Sequence, residues 1–439
     1  MLILKFGGTS VGSAERIKNL AELTKGQESK IVVLSAMSGT TNALVDISRA
    51  LYEKNTKKAE ELIDSLENKY KKEINDLYKN EAILQKGKEL IDFHFQYIRS
   101  FVKFPVFTSK EEKILLIQGE LLSTAMFHYY LNETGEKSVL LPALDFMKTN
   151  EDNEPDLPYI EERIKEELHK YPDATFFITQ GYICRNAQGD IDNLQRGGSD
   201  YTACILGAVI DAREIQIWTD IDGMHNNDPR FVDKTHPIDE LSFDEAAELA
   251  YFGAKILHPT CILPAQKRGI PVALKNTMQP EAKGTLIGNI KTPDGIRAVA
   301  AKDGIYTVTV RSGRMLLAYG FLKTIFDIFE KYKTSIDVIT TSEVAVSLTI
   351  DNPDNLDAIV AELEEIANVE VAKNQTIIAI VGNIAKNEAG YGAKILNAFK
   401  NIPLHMISYG GSEHNISVVI DSKHKKEALQ SLNSGLFGY

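Results

Sequence analysis

The sequence predicts an α/β protein in two parts: a mostly parallel sheet domain over residues 1–295, then a smaller βαββα(β) unit written twice, over 300–374 and 375–439. Three observations carry this. Short β-type runs alternate with helix-period stretches through the first part. Several of those runs end in turns rich in glycine and small hydroxyl residues. After residue 295 one order of elements recurs at a period of roughly 70 residues, the mark of an internal repeat.

Residues 2–6 (LILKF) and 30–36 (KIVVLSA) read as strands, and 13–25 as a helix with Ile17, Leu20, Ala21 and Leu23 on its apolar face. Strand, helix, strand with short links is a βαβ unit and implies parallel pairing. Residues 52–103 are rich in lysine and glutamate, with apolar positions at Leu62, Leu66, Tyr70, Ile74, Leu77 and Ile91. That pattern predicts a pair of long surface helices inserted into the sheet domain. Strand runs resume at 138–145, 175–180, 214–219 and 271–274. Past TPDG (292–295) the first copy reads strand 305–311, helix 320–331, strands 335–341 and 344–350, helix 354–367 and strand 369–373. The second reads strand 376–382, helix 389–400, strands 404–410 and 415–421, and helix 423–434. SIDVITTSEVAVSLTI in one copy is echoed by PLHMISYGGSEHNISVVI in the other. The second copy runs out of chain before its last strand. An unpaired sheet edge invites pairing, so the two copies are expected to pair with each other or with those of a second subunit.

Composition narrows the function. Hydrophobic residues at 44% and charged residues at 25% are ordinary for a globular protein, and a net charge of −12 offers no basic face for nucleic acid. Cys184, Cys204 and Cys261 lie far apart, which excludes a disulfide framework or cysteine zinc site and suits a reducing cytoplasm. No apolar run approaches the ~18 residues of a membrane span, and MLILKFGGTS reads as a buried strand rather than a signal peptide.

The chemistry-bearing residues cluster at strand ends. Lys5 closes the first strand before Gly7 and Gly8, whose free backbone can aim N–H groups at an anion, and a helix N-terminus near Ser13 is expected to face the same anion. On spacing alone this is equally a turn that holds nothing. It is not a Walker A loop, because Ser13 stands where the lysine belongs. The turn Ser35–Asn42 (SAMSGTTN) suits a phosphate or carboxylate, or simply caps a helix. Glu120 sits in the apolar stretch ILLIQGELLSTAMF, where a charge without a partner is costly. In QRGGSDYTA, Arg196 precedes Gly-Gly, and Ser199 and Asp200 open a helix. An arginine fork there clamps two oxygens of an anion, while Ser199 as a cap and Asp200 as a dipole partner is the plainer alternative. Thr219, Asp220 and Asp222 end a later strand, His225 to Arg230 form a polar loop, and Lys255 stands among Tyr251, Phe252 and Ile256. Ligands of parallel sheets bind beyond the carboxyl ends of strands. Together these charges suit transfer of phosphate to an anionic acceptor, a reaction of positioning and charge neutralisation.

KFGGTSVGS, SAMSGTTN, QRGGSDYTA, WTDIDGMHNNDPR, GAKILHPT and the doubled SIDVITTSEV-type repeat together resemble the aspartate kinases, across essentially the whole chain. The resemblance implies an amino-acid-kinase αβα sandwich followed by two ferredoxin-like ACT domains. It implies ATP and L-aspartate as substrates, Mg²⁺, and a homodimer formed through the ACT domains. The chain resembles the monofunctional form, without a homoserine dehydrogenase domain. By this resemblance Lys5 and Asp200 are catalytic. Lys5, Gly7, Gly8, Thr219, Asp220, His225, Arg230 and Lys255 contact ATP. Ser35, Thr41, Glu120, Arg196 and Ser199 hold aspartate, Arg196 at its α-carboxylate and Glu120 at its ammonium. His225 stands where many relatives carry tyrosine, and Tyr182 where phenylalanine is common. The implied effector region comprises Met315, Phe321, Leu322, Ile336, Asp337, Thr341, Ser342 and Glu343, with lysine expected first because Asp337 and Glu343 add negative charge, and threonine second. Two other readings stay open: a kinase of the same fold acting on glutamate, N-acetylglutamate, carbamate or UMP, and a catalytically inactive amino-acid sensor.

Overall fold

The computed structural model describes residues 1–194, 197–253, 257–313, 319–384 and 389–438. The positions Arg196, Lys255 and Met315 lie outside them. The chain divides into two compact units, Met1–Met224 with Leu257–Ile290, and His225–Ile256 with Lys291–Tyr439.

In the first unit the strands of the main sheet are β1 (Leu2–Phe6), β2 (Lys30–Leu34), β3 (Val139–Leu141), β4 (Phe176–Gln180), β5 (Glu214–Thr219), β6 (Val272–Asn276) and β7 (Thr285–Gly288), beside a small antiparallel pair, Ile183–Arg185 with Ile191–Asn193. They lie in the order β3-β4-β2-β1-β5-β6-β7. All pairs are parallel except β6 with β7. The continuous apolar runs of β1 and β2 are explained by burial on both faces. Side chains alternate along β1. Leu2, Leu4 and Phe6 join the large core beneath the helices Ala14–Leu23, Thr40–Tyr52, Thr56–Leu77 and Glu81–Ser100. Ile3 faces the other way, toward Gly207 of the helix Gly198–Val209, where a Cβ would meet Ile215 at 2.4 Å and Ile3 at 3.8 Å. Lys5 shares the parity of Ile3 and so falls on the side of that second helix. The lysine- and glutamate-rich stretch forms the expected pair of long helices.

In the second unit six strands build the repeat sheet: β8 (Gly295–Arg311), β9 (Ile339–Thr341), β10 (Ala345–Ile350), β11 (Asn368–Asn383), β12 (Met406–Ser408) and β13 (Asn415–Asp421). They form one antiparallel sheet in the order β9-β10-β8-β11-β13-β12. β8 and β11 each serve both repeats. Thr307–Arg311 pairs with Ala372–Asn368 in the first copy, while Gly295–Asp303 pairs with Asn383–Thr376 in the second. The last strand of the second repeat is therefore supplied by residues that precede the first repeat. Each copy keeps its own core: Ile325, Phe329, Leu348 and Ile359 in one, Ile395, Phe399, Val418 and Leu429 in the other.

Candidate active site

The carboxyl ends of β1, β2 and β5 gather the polar groups of the first unit. Lys5 is 8% exposed, and its ammonium lies 2.6 Å from the Asp200 carboxylate. Asp200 stands in the first turn of the helix Gly198–Val209, whose cap is Gly197. Ser199 is inside that helix rather than at its cap, and its hydroxyl accepts from Ser35 Oγ at 2.9 Å. The Gly-Gly turn is a steric requirement: Gly197 has φ +64°, and a Cβ there would lie 1.8 Å from Cys261 Sγ. Gly8 is equally fixed, since a Cβ would approach the Ala36 carbonyl to 2.8 Å. The Gly7-Gly8 turn also touches the SAMSGTTN turn directly, through Ser38 N–H donating to the Gly8 carbonyl at 3.0 Å.

Glu120 is 4% exposed. One of its oxygens accepts from Ala36 N–H at 3.2 Å, while the other is buried without a hydrogen-bond partner. Burial pushes its carboxyl up to about 8, opposed by the Ala36 N–H and by its own. Gly119 allows this approach, because a Cβ would sit 2.7 Å from the Ala36 Cβ. Ser123 Oγ donates to the Ser35 carbonyl at 2.7 Å, and Gln180 Nε2 to Thr124 Oγ1 at 2.9 Å, so the Glu120 helix is tied to both neighbouring strand ends. Tyr182 adopts φ +70°, uncommon for a bulky residue. Its N–H donates to Thr202 Oγ1 at 3.0 Å, and burial with the nearby Glu120 charge raises its phenol.

Lys5, Gly8, Ser35, Glu120, Ser199 and Asp200 thus lie within one network of short contacts in the first unit, while the Gly7 N–H is spent on the Trp218 carbonyl at 3.3 Å. Thr41 is exposed in the first turn of the helix Thr40–Tyr52. Thr219 ends β5 and donates to Asp220 Oδ1 at 3.1 Å. The expectation that the helix after Ser13 offers its N-terminus to an anion is not met. Ser13 caps the Arg16 N–H, and Glu73 accepts from the Ala14 N–H at 2.7 Å, so a carboxylate already stands at that helix end.

His225 and Arg230 fall in the second unit. His225 Nδ1 lies 2.9 Å from Thr235 Oγ1, and Arg230 forks onto the Asp228 carboxylate, with Nη2 to Oδ2 at 2.7 Å. Of the implied effector residues in that unit, Phe321 and Leu322 open the helix Phe321–Lys331, Thr341 is exposed at the end of β9, and Ser342 and Glu343 follow it in the exposed link to β10. Ile336 is half-buried. The Asp337 side chain is 1% exposed. One of its oxygens is held by Lys302 Nζ at 2.8 Å and by the Tyr251 hydroxyl at 2.6 Å, and the other is buried without a partner. Asp337 lines a cavity of about 290 Å³ together with Glu248, Tyr251, Ser408, Ser412 and Asn415. Among the described residues no cluster of three metal-ligating side chains occurs, and no helix is long and apolar enough to cross a membrane.

A parallel sheet with a cation and glycine turns at its carboxyl edge defines a phosphate-handling α/β protein. The sequence model of the Amino acid kinase family matches residues 1–276, and that of an ACT domain matches 378–436. Lysine-sensitive aspartokinase 3 of Escherichia coli is 32% identical over 460 residues, covering 100% of this chain and 99% of its own length. Aspartokinase 1, chloroplastic, of Arabidopsis thaliana is 34% identical over 466 residues, covering 99% of this chain and 80% of its own. The crystal structure of E. coli aspartokinase III in complex with aspartate and ADP superposes with a TM-score of 0.87 at 32% identity, over 100% of both chains. The chain belongs to the aspartokinases, within the amino acid kinase family.

Proposed function

We propose that the protein transfers the γ-phosphoryl group of ATP to the β-carboxylate of L-aspartate, giving 4-phospho-L-aspartate and ADP at the start of lysine, threonine and methionine biosynthesis. One observation carries the reading: the Lys5–Asp200 pair stands between two turns in which Gly8 and Gly197 leave no room for a Cβ. The E. coli relative solved with aspartate and ADP supports both ligands. No enzyme nucleophile is needed. The substrate β-carboxylate, with an ordinary pKa near 3.9, is ionised at neutral pH and attacks the γ-phosphorus directly. Lys5, oriented by Asp200, neutralises charge on the transferring group, helped by Lys255 and by the backbone N–H of Gly8. Thr219 and Asp220 face the nucleotide. Arg196 takes the aspartate α-carboxylate and Glu120 its ammonium, with Ser35, Thr41 and Ser199 beside them. ATP enters as its Mg²⁺ complex. That ion keeps several waters and is carried by the substrate phosphates, so it needs no cage of protein carboxylates.

The doubled C-terminal unit is assigned to feedback control, to homodimer formation and to a cytoplasmic enzyme. Lysine is the first candidate inhibitor. A lysine-sensitive relative supports it, and so do the half-satisfied Asp337 carboxylate and the cavity beside it. A coupled ADP-release assay with L-aspartate against L-glutamate tests the reaction: turnover with aspartate is expected, and turnover with glutamate alone overturns the reading. Titration with lysine, threonine and methionine tests control. Lysine is expected to inhibit at millimolar levels or below, and Thr341→Ile to weaken inhibition with uninhibited kcat within a few-fold, since an effector acts only through its differential affinity for two states. Insensitivity to all three leaves the repeats as assembly elements.

A further inference from the structure

The helix Thr56–Leu77 does more than cover the sheet. Glu73 follows Tyr70 by three positions and Lys69 by four, the two spacings that make side chains neighbours on a helix surface. Each reaches a turn already described. Glu73 accepts from the Ala14 N–H at 2.7 Å, directly behind the Gly7-Gly8 turn. Lys69 Nζ donates to the Ser38 carbonyl within SAMSGTTN. Tyr70, fully buried, meets Thr40 Oγ1 at 3.0 Å. Thr40 in turn packs on Gly119, where a Cβ would lie 3.0 Å from the Thr40 methyl, so the contact runs on to Glu120. One turn further, Lys18 Nζ donates to the Asp76 carbonyl at 2.6 Å and fastens the helix Ala14–Leu23 a second time.

We infer that this helix face is a positioning element in which Glu73 holds the nucleotide-side turn and Tyr70 with Lys69 holds the aspartate-side turn. It touches neither substrate. Two turns from different βα connections are held by one rigid helix, and their separation sets the distance between phosphate donor and acceptor. A shift of about 1 Å between reacting groups is enough to cost on the order of 10²-fold in rate. The helix belongs to the inserted pair, which explains why an insertion sits against the site rather than at a remote edge.

The assignment of the two turns to two substrates rests on the proposed reaction, and the test separates the two ideas. Steady-state kinetics should split: Glu73→Ala is expected to raise the ATP KM about fivefold to tenfold with the aspartate KM within twofold, the loss of one charge-assisted hydrogen bond. Glu73→Gln keeps an acceptor for Ala14 N–H and should restore the ATP KM. Tyr70→Phe should raise the aspartate KM about threefold to fivefold and leave the ATP KM unmoved. Amide hydrogen exchange on the ligand-free variants reads the clamp without any substrate. Glu73→Ala should speed exchange in residues 12–17 and leave 36–43 protected, and Tyr70→Phe should do the reverse. If exchange splits this way but the KM values move together, the clamp stands and the substrate assignment falls. If neither variant changes exchange locally while both remain folded, the positioning role is overturned.

Discussion

Replacing Lys5 by alanine is expected to lower kcat by about 10²–10³-fold, the usual effect of removing one preorganised charge from a transition state. The geometry explains why the loss is in rate more than in binding. Lys5 leaves the end of β1 on the face of the helix Gly198–Val209 and is fixed by Asp200 at 2.6 Å. Its ammonium is in place before any charge develops on the transferring phosphoryl group, so no reorganisation is needed during the step. Removing it also strands a partly buried carboxylate at Asp200, which then repels the anionic substrates. The pair should consequently be non-additive: Asp200→Asn in the Lys5→Ala background is expected to cost little more, and to recover part of the nucleotide affinity, because neighbours that share one interaction do not add. Circular dichroism and thermal melting establish that the variants fold. A Lys5→Ala enzyme keeping more than half of wild-type turnover would remove Lys5 from the chemistry.

The parallel sheet was legible because β1 and β2 are short, wholly apolar runs ending in small residues, and burial on both faces leaves no other composition available. The turns were legible for a steric reason. Gly8 and Gly197 each stand where a Cβ would strike a neighbour, and glycine is the only residue that marks such places in a sequence. The inserted helices were legible from their period alone.

What was hidden depends on contacts between distant segments. Residues 295–303 read GIRAVAAKD, too weakly patterned to announce a strand. They become one through pairing with Asn383–Thr376, and that pairing completes a repeat lying later in the chain. A linear search for a repeat cannot find a strand that precedes both copies. Glu73 was hidden likewise. In sequence it is one acid among many on a charged helix, and only the fold brings it to the Ala14 N–H. The same contact overturned the simplest expectation for the phosphate turn, that the following helix presents an open N-terminus. Asp337 was legible as a negative group but not as one already paired, because Lys302 and Tyr251 come from other strands and helices. An effector ammonium arriving there must share or replace the Lys302 contact.

Glu120 carries the sharpest pH dependence. Buried at 4% exposure, with one oxygen on the Ala36 N–H and the other without a hydrogen-bond partner, its carboxyl is lifted to about 8 in the ligand-free protein, against about 4.3 in an exposed chain. Because the folded value is raised, its contribution to stability is complete below about pH 4.3 and is lost as pH climbs toward 8, where the buried group must ionise. The span amounts to roughly 4–5 kcal/mol at 1.36 kcal/mol per unit. Glu120→Gln removes this titration, so the ligand-free variant should melt above wild type at pH 8 and alongside it near pH 4.5. Aspartate reverses the balance, since an ammonium beside the carboxylate favours its charged form. Binding should therefore expel a proton at neutral pH. The aspartate KM should fall by up to about tenfold per pH unit between 6 and 8 and level off above, while the ATP KM stays nearly flat. Glu120→Gln should raise the aspartate KM by on the order of 10²-fold at pH 8 and abolish its pH dependence, as expected when a buried charged hydrogen bond is lost. Calorimetric titration of aspartate in two buffers of different ionisation enthalpy counts the proton directly. A flat aspartate KM from pH 6 to 8.5, with no proton released, would mean that the ammonium binds elsewhere and that Glu120 is a structural acid kept neutral by its burial.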